Sequence, residues 1–194
     1  MLGTLPTSLE VCGKSYKIRP DYRNILRIFE GYADDTLSDQ EKLLLCLRRI
    51  YVDFSAIPRE QYEQAYRAAY TFISCNAQED KKPPIRTFSW IKDEQLIFPA
   101  VNKTAGMEVR AVPFLHWWTF MGYFESIDAE GLFGTVLSIR QKKARGKKLE
   151  KHEREFCRNN PALMALDYSG AKPTVSPEQA LRDMFDNLPT EAGD

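Results

Sequence analysis

The densest chemical potential in this chain is a run of cations. Arg140, Lys142, Lys143, Arg145, Lys147, Lys148 and Lys151 lie together, with Glu150 the one acid among them. Lysine and arginine at this density can neutralise phosphates or meet an acidic protein face. The run carries no aromatic side chain on which a base could stack. It also sits in a chain of 27 basic and 27 acidic residues, net charge zero, whereas a dedicated nucleic-acid binder is usually basic overall. A solvated helix end, or an arm for an acidic partner, is therefore the stronger reading, and nucleic acid the weaker one.

The other side chains that could do chemistry do not converge. His116 stands among apolar residues with no second His, Cys or Asp at ligand spacing. Such a histidine reads as a hydrogen-bonded core or boundary residue. Cys12, Cys46, Cys75 and Cys157 are far apart in sequence and form no C-x-x-C. With two histidines in the whole chain, neither a zinc site nor any other metal site is expected. Free thiols in a reducing compartment are the expectation. No phosphate-binding glycine loop, H-E-x-x-H or G-x-S-x-G occurs, and acidic pairs such as Asp34-Asp35 lie in polar loops. The sequence thus predicts no enzyme, no catalytic residue and no cofactor.

These residues need elements to carry them. The sequence predicts a mainly α protein: a compact multi-helix domain over 1–167, a small N-terminal β-hairpin, and a C-terminal amphipathic helix on a linker within 168–194. Residues 9–18 alternate apolar and polar on either side of Gly13, a hairpin pattern that would put Leu9, Val11, Tyr16 and Ile18 on one face. Asp21 is read as the N-cap of a first helix that stops at Gly31. Ser38 and Glu41 form a capping box for a second. Pro58 opens a third, striped by Tyr62, Ala65, Tyr66, Ala69 and Ile73. Residues 76–84, charged and ending in paired prolines, read as an exposed loop. It divides two sets of helices, but the first set is small enough that 1–167 reads as one domain.

Ser89 is read as the cap of a helix with Trp90, Ile91, Ile97, Phe98 and Val101 inward, kinked or split by Pro99 and ended by Gly106. Pro113 to Phe124 is the most apolar stretch. It reads as the central core helix, starting at Pro113 and surrounded by others, too short to span a membrane. Trp117 and Trp118 point about 100° apart on it, so they meet different neighbours. Core packing is the plainer role, with an exposed tryptophan in a partner groove as the alternative. The cationic run is read as an exposed arm after a further helix. Near the C-terminus, Ser176-Pro177-Glu178-Gln179 caps a helix whose apolar stripe includes Leu181, Met184, Phe185 and Leu188.

Particular runs carry a resemblance. His116-Trp117-Trp118-Thr119-Phe120, followed by Ser138-Ile139-Arg140-x-Lys142-Lys143-Ala144-x-Gly146-Lys147-Lys148-Leu149-Glu150-Lys151, resembles the bacteriophage gene-product-fifteen family of tailed phages and prophages of Gram-positive bacteria. The opening Leu5-Pro6-Thr7-Ser8-Leu9, the pairs Gly13-Lys14 and Ile18-Arg19, and Ala100-Val101-Asn102-Lys103 are similar to it too. The likeness covers roughly 4 to 166.

Genes of that family typically lie between those for the major tail protein and the tape-measure protein. The resemblance therefore implies a tail-assembly chaperone in the host cytoplasm that binds the tape-measure protein and helps recruit tail-tube subunits. The alternatives are a structural or tail-completion protein kept in the virion, or a nucleic-acid-binding regulator using 140–151. The surfaces expected to meet partners are Trp117 and Trp118, the cations Arg140, Lys142, Lys143, Arg145, Lys147 and Lys148, and the terminal Leu181, Met184 and Phe185. The terminal helix could equally dock on its own domain or on a second copy of the chain.

Overall fold

The computed structural model describes residues 3–76 and 87–166, which belong to two compact units. Apart from Asn76, the loop expected at 76–84 lies outside the described residues, as does the C-terminal helix expected after 176.

The first unit opens on a hairpin. Strands β1 (Ser8–Val11) and β2 (Lys14–Lys17) pair antiparallel, with Leu9 opposite Tyr16. Cys12 and Gly13 turn between them with φ +49° and +78°. Two positive φ values in succession match the twist of a two-residue hairpin. A lone hairpin is marginal in water, and here it is anchored to the helices. Helix α1 spans Tyr22–Tyr32 and α2 spans Asp39–Ile50. Ile18 bridges Tyr51 just beyond α2, with Arg19 N–H donating to the Ile50 carbonyl at 2.8 Å and Val52 N–H to Lys17 at 3.0 Å.

Helix α1 starts at Asp21, whose carboxylate accepts the Arg23 N–H. Helix α2 starts at Ser38 with the expected capping box. Helix α3 (Tyr62–Ile73) follows a short 3-10 turn after Pro58 and buries Ala65, Ala69 and Phe72. The core joins these with Ile25, Ile28, Leu43, Leu47 and Ile50, all essentially inaccessible. Gly31 does not stop α1. It lies buried inside the helix, where a Cβ would come within 2.8 Å of a Leu45 methyl. Its missing side chain lets α2 lie close.

In the second unit, α4 spans Glu94–Ala105, α5 Trp117–Glu125, α6 Leu132–Ala144, α7 Lys151–Asn159 and α8 Pro161–Met164. Three expectations are corrected here. Helix α4 begins at Glu94 rather than at Ser89, and Ile91 is 48% exposed instead of inward. Ser89 stabilises a preceding turn, its N–H donating to Asp93 at 2.9 Å and its Oγ accepting from Lys92. Pro99 does not split α4, which runs unbroken through it. It removes a single N–H donor on an exposed side, while Ile97, Phe98 and Val101 remain buried and hold the helix.

The third correction concerns the apolar stretch. Helix α5 starts at Trp117, not Pro113. His116 is the N-cap, and its Nδ1 accepts the Trp118 N–H at 3.1 Å. Residues 113–116 form a non-helical approach in which Phe114 is 56% exposed. Helix α5 is also not enclosed all round: Trp117 and Phe120 are buried, while Gly122 and Glu125 face solvent.

Candidate interaction surfaces

Trp117 and Trp118 part as the helix geometry predicts. Trp117, 1% exposed, stacks on Phe120 at 5.8 Å and meets Trp90 edge-on at 6.1 Å. Trp90 lies 4.7 Å from Phe124 and 5.0 Å from Phe88, and Phe124 packs on Phe133 at 5.9 Å. With Phe98 of α4 6.1 Å from Phe120, this aromatic cluster joins α4, α5 and α6 to the 88–90 turn. Trp118 points elsewhere, half-buried, edge-on to the His116 ring at 6.2 Å.

The cationic run is not one exposed arm. Arg140 is 4% exposed and faces Asp93, itself 3% exposed, through a bidentate pair of 2.6 and 2.9 Å. The same guanidinium donates to the carbonyls of Thr87 and Leu163. It ties Thr87 and Leu163 to α6. The sequence could not show this, because the partner carboxylate stands 47 positions away.

The remaining cations sit on a closed corner. Two residues beyond the end of α6, Gly146 lies in the left-handed region with φ +65°, where Gly146 N–H donates to the Lys143 carbonyl and Lys147 N–H to the Lys142 carbonyl. These two bonds make a Schellman turn. Helix α7 then folds back, and Lys142 Nζ meets Glu153 at 2.6 Å. Glu153, buried, also accepts the Glu150 N–H. The Lys142 hydrogen bond holds the Glu153 carboxyl below its ordinary range and raises the Lys142 ammonium in turn. Lys143, Arg145, Lys147, Lys148 and Lys151 are left exposed around the turn. Leu181, Met184 and Phe185 lie outside the described residues.

Two features were not legible in the sequence. Beside Pro99, a largely apolar groove of about 600 Å³ runs between α4 and the start of α6, lined by Leu96, Ile127, Leu132 and Phe133 and crossed by the Lys103–Asp128 pair at 3.5 Å. In the first unit, a groove of about 480 Å³ lies beside α2, with Leu37, Leu44 and Leu45 as its apolar lining and Arg48 and Arg49 exposed at one end. Among the described residues, no group of three or more His, Cys, Asp or Glu could hold a metal ion, and no helix is long and apolar enough to cross a membrane.

What the site offers is surface: two apolar grooves, an aromatic core behind one of them, and a basic corner. The family is decided by comparison. The family described as Bacteriophage Gp15 protein matches residues 1–166, and the chain belongs to it. No curated protein and no solved structure gives a match.

Proposed function

We propose that this protein is a non-enzymatic tail-assembly chaperone of the host cytoplasm, which binds the phage tape-measure protein and helps recruit tail-tube subunits. Membership of the bacteriophage Gp15 family is the observation that supports this reading. It suggests a structural or assembly role in the phage, and the gene order associated with the family points to the tape-measure and major tail proteins.

The surfaces are compatible with such a client. A tape-measure protein is long and helical, and an amphipathic helix is received by an apolar groove that takes side chains at helical spacing. The groove beside Pro99 has that character, with Leu132 presented at 53% exposure. The cations of the α6–α7 corner would supply charge for acidic stretches of the client.

Co-expression with the tape-measure protein of the same phage tests the reading. A soluble complex recovered by pull-down is the expected result. Insoluble tape-measure protein with no complex overturns it, and stoichiometric protein in purified virions would instead make it a structural component.

A further inference from the structure

The α2 groove of the first unit has a lining and a charge pattern suited to an amphipathic helix. Its lining is apolar where Leu37, Leu44 and Leu45 stand half-buried. Leu45 lies over Gly31, where a side chain on α1 would collide with it, so the groove keeps its depth. The charge is uneven. Arg19 is committed: its guanidinium donates to the carbonyls of Arg48, Arg49, Tyr51 and Val52 at the end of α2. Glu41, toward the other end, is held by the Ser38 N–H and hydroxyl. Arg48 and Arg49 remain exposed, Arg48 over the Phe54 ring, and neither has a carboxylate partner among the described residues. An apolar trough with an arginine rim suits an acidic amphipathic helix.

The sequence holds one such segment. From Ser176 to Asp194 it carries five acids and one arginine. Wound as a helix, Leu181, Met184, Phe185 and Leu188 fall on a single stripe. Residues 167–176 can extend up to roughly 35 Å, a reach comparable to a small domain. We infer that residues 177–188 dock as a helix, apolar stripe down, in the groove formed by Leu37, Leu44 and Leu45 of the same chain, with their acidic side toward Arg48 and Arg49. This arrangement is independent of the chaperone reading and stands or falls separately.

Photo-crosslinking of the full-length chain tests it. With p-benzoylphenylalanine in place of Phe185, mass spectrometry should find the principal adduct within one chain on residues 37–49. The same probe in place of Asp183, on the opposite side of the helix, should give far less. Arg48→Glu with Arg49→Glu should lower the Phe185-probe yield by roughly fivefold, the scale of two exposed ion pairs. Adding Glu178→Lys and Asp186→Lys should restore it. Both arginines are exposed, and unchanged far-UV ellipticity would confirm that the reversal leaves the helices intact. A principal adduct elsewhere, equal yields from both probes, or adducts only between two chains would overturn the inference.

Discussion

Arg140 and Asp93 face each other as a buried bidentate pair, with Nη1 2.6 Å from Oδ2 and Nη2 2.9 Å from Oδ1. Asp93 also accepts the Ser89 N–H, and Arg140 serves two backbone carbonyls. Removing one partner leaves the other charge buried and unpaired, which typically costs roughly 3–5 kcal/mol. Arg140→Met should therefore destabilise residues 87–166 by about that amount. Arg140→Met with Asp93→Leu should cost less than the sum of the single changes, since the two residues are coupled. The chain's three tryptophans, Trp90, Trp117 and Trp118, all lie in this unit, so urea denaturation followed by tryptophan emission reports it.

Two glycines in neighbouring helices should respond in opposite directions to alanine. Gly122 lies exposed in α5, and nothing would touch its added Cβ within 4 Å. Gly122→Ala should stabilise by about 0.5–1 kcal/mol through helix propensity alone. Gly134, in the first turn of α6, would place a Cβ 2.5 Å from the Ala129 carbonyl oxygen. Backbone cannot swing aside as a side-chain end can. Gly134→Ala should destabilise by about 1–3 kcal/mol, with both values read from the same tryptophan-monitored titrations.

The α6–α7 corner should loosen in acid. The Lys142 hydrogen bond depresses the folded pKa of Glu153. A depressed carboxyl contributes stability that is present above its unfolded value and lost as pH falls through the folded one. Protection of the α7 amides, measured against the intrinsic exchange rate at each pH, should fall over that window, from the ordinary glutamate range downward. Glu153→Gln should flatten this response and raise exchange at neutral pH. Lys142→Glu should open the corner outright by setting two carboxylates together. Charge reversal aimed at partner binding therefore belongs at Lys143, Arg145, Lys147 and Lys148, which the fold leaves exposed.

The thiols should separate by reactivity. Cys46 is fully buried in α2, and that burial pushes its pKa up to about 12. Cys12 is exposed in the hairpin turn. A disulfide reagent at pH 8 should modify Cys12 rapidly in the native protein and reach Cys46 only on unfolding, a difference that peptide mapping over time would show. Cys12 also holds φ +49°. Cys12→Asn should stabilise the turn by a few tenths to about 1 kcal/mol, since asparagine tolerates this region and favours such turns, as thermal denaturation would register.

The sequence alone determined the features whose causes lie within a few residues. Asp21 and Ser38 cap α1 and α2 because a side-chain oxygen reaches an N–H one turn away. The Cys12-Gly13 turn and the Gly106 stop follow from positive φ, a local property of the backbone. The mainly helical class and the small hairpin were legible for the same reason, and the family resemblance rests on contiguous runs of residues. Other features needed the chain to be folded. Only the tertiary structure placed Asp93 against Arg140 and so withdrew one cation from the exposed run. It closed the rest into a corner by setting Glu153 beside Lys142, buried Gly31 under Leu45, and enclosed Trp117 while leaving Trp118 at the margin. The physical reason is common to all four. Propensity and capping act along the chain, whereas the cost of burying a charge or an indole depends on which distant groups packing brings alongside it.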